Sequence, residues 1–143
     1  MEIRRVIDGD IEELAKLYKQ FWGTESCVDK MRAKLPKIDQ NPSYIILVAV
    51  EEGNVIGTVM GIVCDELYGD CKPFLVIEDV IVGKDNRRNG VGTALMRELE
   101  VYAAKSCCKY AILVTELERT EAHKFYESLD YHMEPYKGFK KQL

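Results

Sequence analysis

The chain has 143 residues, 47% of them hydrophobic, enough for one sizeable core and an expected single domain over residues 1–143. Its net charge of −4 and pI near 5.3 argue against general nucleic-acid binding, which favours basic faces. The longest apolar run, residues 44–50, is far short of the ~20 residues that span a bilayer. No apolar signal core follows Met1-Glu2-Ile3-Arg4-Arg5, so a cytoplasmic location with no membrane partner is the expectation.

Residues 3–7 read as a first strand. Asp8 or Asp10 is placed to cap a helix with Glu12 and Glu13 in its first turn, where acids suit the helix dipole. Ile11, Leu14, Leu17, Tyr18 and Phe21 share one face of that helix. A second helix is expected over residues 27–35, stopped by Pro36. The β-branched runs 44–51 and 55–63, joined by Glu52-Gly53-Asn54, read as a hairpin. Residues 65–73 form a polar loop, and its Asp65, Glu66 and Asp70 offer a weak attraction for cations.

A strand at residues 74–82, a glycine-rich turn and a helix to about Ser106 come next. Residues 110–115 read as another strand, a late helix follows, and a short terminal strand is expected at 136–141. The sheet should be mixed and mainly antiparallel, with a parallel pair at the strand–helix–strand unit. The five cysteines contain no C-x-x-C pair, and with only two histidines no metal site is expected and the thiols read as reduced.

The segment Arg87-Arg88-Asn89-Gly90-Val91-Gly92 lies between a strand and a helix. Without a Cβ at Gly90 and Gly92, the backbone can approach a ligand closely and take φ > 0. Unpaired amides and the dipole at a helix start make an anion site. Arg87 and Arg88 are placed to add charge-assisted contacts. A Walker loop needs Lys-Ser/Thr after its last glycine, but Thr93-Ala94 follows Gly92. A dinucleotide fingerprint needs a third glycine where Leu95 stands.

The remaining pattern, Arg-x-x-Gly-x-Gly, resembles the pyrophosphate-binding segment of the GCN5-related N-acetyltransferases (GNAT). Glu121-Ala122-His123-Lys124-Phe125-Tyr126-Glu127-Ser128-Leu129-Asp130-Tyr131 is similar to the late helix of the same superfamily. Two departures stand out: Arg88 replaces a frequent glycine in the loop, and Asp130 replaces the glycine that usually ends the late helix. Asp tolerates the left-handed region better than most residues.

The resemblance implies an α+β, α/β/α-layered fold: a six- to seven-stranded, mainly antiparallel sheet flanked by about four helices. Strands 74–82 and 110–115 would splay apart to admit the pantetheine arm of the cosubstrate, acetyl-CoA. The backbone of Val80, Ile81 and Val82 would bond the thioester and pantetheine. Amides of Arg88, Asn89, Gly90, Val91, Gly92 and Thr93 would hold the pyrophosphate, with Arg87 nearby. The implied reaction moves an acetyl group to a primary amine of a small molecule, peptide or protein by direct attack in a ternary complex. The competing class is a non-catalytic acyl-CoA-binding or regulatory module. Dimers are frequent among relatives, so a homodimer is open.

Acetylating an amine raises two proton problems. An amine of pKa near 10.4 is neutral in only about one molecule in 10³ to 10⁴ at pH 7, so deprotonation costs about 4–5 kcal/mol. A thiolate must also leave, and a phenol can reprotonate it at an uphill cost of ~2 kcal/mol. Glu78 and Asp79 are adjacent carboxylates in the apolar run 74–82, and strand alternation would send them to opposite faces. The resemblance points to Glu78 as general base through ordered water and to Tyr126 as the acid that protonates the departing thiolate; Asp79 is read as structural, bonding backbone or an arginine.

Overall fold

The apolar runs of the sequence become a five-stranded sheet in strand order β1-β2-β3-β4-β5: β1 Glu2–Arg5, β2 Tyr44–Glu51, β3 Asn54–Cys64, β4 Phe74–Val82 and β5 Ala111–Ile112. The computed structural model describes residues 1–136 and 138–142, in two compact units, Met1–Ile112 and Leu113–Leu143. Helices α1 Ile11–Trp22, α2 Val28–Asp39 and α3 Val91–Lys105 belong to the first unit, and α4 Thr120–Glu127 to the second. The first three strand pairs are antiparallel and β4–β5 is parallel. The mixed, mainly antiparallel α+β fold is therefore as expected, with five strands among the described residues in place of six to seven.

The hairpin turn rests on Glu52 and Gly53, both at positive φ (50° and 82°), between the paired residues Glu51 and Asn54. Two left-handed residues match the twist of the flanking strands. On one face of the sheet, Ile11, Leu14 and Leu17 of α1 and Leu35 of α2 pack with Val48, Val55 and Ile81. On the other face lies α3, whose Leu95, Met96 and Leu99 are fully buried. There, a methyl on Gly57 would sit 3.0 Å from Val91 Cγ1, and one on Gly61 2.5 Å from Leu99 Cδ1. β3 and α3 thus approach more closely than alanine would permit.

Four local expectations need correction. Asp10 does not cap α1 with its side chain; it closes a 3₁₀ turn at Asp8–Asp10. Its carboxylate accepts the Ile7 N–H at 2.8 Å and both terminal nitrogens of Arg4, at 2.6 and 2.8 Å. Helix α2 runs through Pro36 to Asp39, because a proline removes one amide donor without stopping the next turn; Gln40 N–H still reaches the Pro36 carbonyl at 3.1 Å. The strand expected at 110–115 shortens to Ala111–Ile112, as its pairing with β4 ends at Val76 and Ile112. Of the terminal strand expected at 136–141, Lys137 lies outside the described residues and the others form no strand.

In the second unit, α4 closes on a left-handed Asp130 (φ 65°), in keeping with the tolerance of Asp for that region. The Tyr131 N–H reaches the Tyr126 carbonyl and the Asp130 N–H the Glu127 carbonyl, both at 3.1 Å. This is the Schellman pattern, and its usual apolar contact is present as Tyr131 against Tyr126, ring centroids 6.3 Å apart.

Candidate active site

The start of α3 is built to stay open. A 3₁₀ turn at Lys84–Asn86 leads into Arg88 at φ 63° and Gly90 at φ 77°, two left-handed residues flanking Asn89. The glycine that the resemblance expects at the position of Arg88 has its reason here: the backbone asks for positive φ. Gly92, by contrast, lies within α3 and is not at positive φ. No side chain caps α3 and no acid sits in its first turn. The first amide to find a helical acceptor is that of Ala94, on the Gly90 carbonyl at 2.9 Å. Among the described residues the amides of Val91, Gly92 and Thr93 have no acceptor. Arg87, Arg88, Asn89 and Gly90 are exposed, and Arg87 Nε donates to the Val82 carbonyl at 3.3 Å, tying the loop to the end of β4. An anion meeting this turn finds unpaired N–H groups, the positive end of a helix dipole and two guanidinium groups.

Strand β4 carries a bulge immediately before the expected thioester segment. Its register with β3 shifts between Thr58, opposite Ile81, and Met60, opposite Glu78, so Val59 faces both Asp79 and Val80. Asp79 takes φ 52°, a conformation non-glycine residues adopt at a cost. The bulge overturns the opposite-face expectation for the two carboxylates. Glu78 shares a face with its partner Met60, and Met60 and Asp79 line the same cavity. Glu78 is exposed and Asp79 half-buried.

That cavity, about 450 Å³, lies between α1, α2 and the sheet. Its wall is mainly apolar, with Leu14, Met31, Leu35, Ile46 and Met60, and it includes Tyr18 and Asp79. Burial raises the Asp79 carboxyl above its ordinary pKa. The Tyr18 phenol is raised too, first by burial and then by the charge of Asp79, against the opposing hydrogen bond with Thr58. Sequence reading placed Tyr18 on the packing face of α1 and Asp79 in a structural role; neither the cavity nor the bulge has a linear signature.

Tyr126 lies on α4 of the second unit, 9% exposed and packed with Phe125 and Tyr131. Two of the three acids of the 65–73 loop are engaged: Glu66 pairs with Lys109, and Asp70 with Lys72 at 3.1 Å. All five cysteines are free thiols. Among the described residues no cluster of His, Cys, Asp and Glu is arranged to hold a metal ion, and no helix is long and apolar enough to cross a membrane.

The chain belongs to the acetyltransferase (GNAT) family, whose pattern it matches over residues 11–131. Membership supports acetyl transfer in general. It is similar to the uncharacterized N-acetyltransferase YhfO of Bacillus subtilis (strain 168), with 27% identity over 139 residues, covering 92% of this chain and 89% of the relative. A protein of Agrobacterium tumefaciens strain C58 assigned as an acetyltransferase shares the fold with a TM-score of 0.92 at 24% identity, each chain covered in full. AAC(6')-Iy, in complex with the bisubstrate analog CoA-S-monomethyl-acetylneamine, has a TM-score of 0.80 at 21% identity, with 99% and 98% of the two chains covered.

Proposed function

We propose that this chain transfers an acetyl group from acetyl-CoA to a primary amine by direct attack in a ternary complex. The acceptor would be a small molecule, peptide or protein. The observation that carries the reading is the uncapped, acid-free start of α3, with left-handed Arg88 and Gly90 and free amides from Val91 to Thr93. These residues fit a diphosphate: Arg88 to Thr93 would hold it through main-chain amides, with Arg87 beside them. A fold neighbour captured with a CoA-containing bisubstrate analog supports the choice of cosubstrate. Along β4, the bulge interrupts pairing with β3, and the parallel pairing with β5 stops at Val76. Main-chain amides of Val80, Ile81 and Val82 would then serve the thioester carbonyl and the pantetheine arm without any side chain.

Two proton steps fall to two side chains. Glu78, exposed on the cavity face of β4, would take the amine proton through water and pass it to solvent. Tyr126 would return a proton to the leaving thiolate. A cytoplasmic location fits the free cysteines.

The test is thiol release from acetyl-CoA across an amine panel, with mass spectrometry of the products. Tyr126→Phe should cut kcat about 100-fold while leaving acetyl-CoA affinity intact, the scale of one lost proton transfer. Glu78→Gln should lower the rate most at neutral pH and least at high pH, where the amine is already neutral. A loss independent of pH would remove Glu78 from proton transfer. Tight acetyl-CoA binding with no turnover on any amine would favour a non-catalytic acyl-CoA module.

A further inference from the structure

Asp79 combines three features that together call for a ligand. Its backbone is held at φ 52° by the bulge in β4. Its carboxylate is half-buried in the wall of an apolar cavity of about 450 Å³. Among the described residues it has no ion-pair or hydrogen-bond partner, and after burial it is the next cause that raises the neighbouring Tyr18 phenol. Burying a carboxylate without a partner is costly, and so is a left-handed non-glycine residue. A structural carboxylate such as Asp10 is paired with Arg4 in a bidentate contact; Asp79 is not.

The remaining charges on the wall set what fits. Besides Asp79, the charged residues lining the cavity are Lys30 and Lys34, one turn apart on α2 and exposed. One half-buried negative charge and two exposed positive charges on the wall accept a single cation and repel further ones. The volume is that of an ordinary small-molecule site.

We infer that this cavity receives the acceptor as a primary monoamine with an apolar aryl or branched-alkyl body, its ammonium group on Asp79, and that it selects against polycations. The inference rests on the reading of the chain as an N-acetyltransferase and names the class of its acceptor. Asp79 binds and orients the ammonium, and the neighbouring Glu78, on the same face, takes the proton. Tyr18 and Met60 enclose the apolar body.

Calorimetric titration of the full chain with 2-phenylethylamine, isopentylamine, kanamycin and spermine, with coenzyme A present, tests this directly. The two monoamines should bind and the two polycations should bind at least tenfold more weakly. Asp79→Asn should weaken monoamine binding about 30-fold or more, the scale of removing one partner of a desolvated charge pair. Met31→Trp, which fills the cavity from α2, should abolish it. Both variants should still bind coenzyme A, which reports a folded chain. Stronger binding of kanamycin or spermine than of the monoamines would overturn the assignment, as would monoamine affinity unchanged in Asp79→Asn. Failure of the wider reading looks different: monoamines would bind in an Asp79-dependent way, yet no thiol would be released when acetyl-CoA replaces coenzyme A.

Discussion

Two helix starts in the same unit are finished in opposite ways. Helix α1 begins after Asp10, whose carboxylate takes the Ile7 amide and a bidentate Arg4, with Glu12 and Glu13 in the first turn. Helix α3 begins after a left-handed Gly90, with no cap, no acid and two exposed arginines ahead of it. A helix start has unpaired donors and partial positive charge in either case. At α1 the protein supplies the negative charge itself and gains stability. At α3 it withholds that charge, so the same physics is left for a ligand. Ligand-binding and fold-stabilising roles should therefore separate cleanly by mutation.

The largest effect is expected at α1. Asp10→Ala leaves Arg4 without its partner and should cost about 3 kcal/mol in chemical denaturation, the low end for a broken buried ion pair. Acetyl-CoA affinity of the folded fraction should not change. The pH dependence has a defined sign. The hydrogen bonds from Arg4, more than any other cause, hold the Asp10 carboxyl below its ordinary pKa. Its contribution is complete above the unfolded carboxylate pKa of about 3.9 and fades as pH falls through the lower folded value. The difference between wild type and Asp10→Ala should shrink over that acid range; a difference constant with pH would remove the ion pair from the account.

Gly90→Asp makes α3 resemble α1. It adds an acid to the turn where a ligand anion is expected, and its backbone conformation is one Asp can adopt. No atom within 4 Å obstructs a Cβ there, so the fold should persist. Affinity for acetyl-CoA should fall about 100-fold by calorimetry, comparable to losing one or two charge-assisted hydrogen bonds. An unchanged affinity would break the contrast between the two helix starts.

Arg88→Gly sharpens the comparison with the smallest effect. It relieves a left-handed non-glycine residue and should raise Tm by about 2–4 °C. It also removes one cation, so acetyl-CoA affinity should drop modestly, by less than tenfold. A loss of stability would show that the arginine side chain supports the loop.

Much of this was legible in the chain. β2 and β4 fall at the boundaries read from their apolar, β-branched runs, because half-buried strands imprint their period directly. The turn ahead of α3 was legible from glycine spacing, since Gly90 does occupy the left-handed position. Arg88 at positive φ was not, because arginine carries no residue-type signal for that region. The strand at 110–115 was overextended for a different reason: Leu113 and Val114 are apolar, yet Val114 is 67% exposed, and composition does not reveal where a hydrogen-bond partner ends. Pro36 was given too much weight, since it costs one donor and α2 continues. The carboxylates were assigned to opposite faces because alternation assumes a regular strand; one extra residue at Asp79 puts both on the cavity side.

The glycines under α3 carry a consequence for catalysis that no polar residue announces. Because Gly57 meets Val91 and Leu95, and Gly61 meets Leu99, the height of the helix above the sheet is fixed by two missing methyl groups. Val91 is also the first residue of that helix, so the same contact that seats the helix seats its free amides. Gly57→Ala would lift the proposed diphosphate cradle relative to the proposed thioester segment of β4. On the proposed reading, the distance between the two ends of a long cosubstrate would thus be gauged by packing in the hydrophobic core.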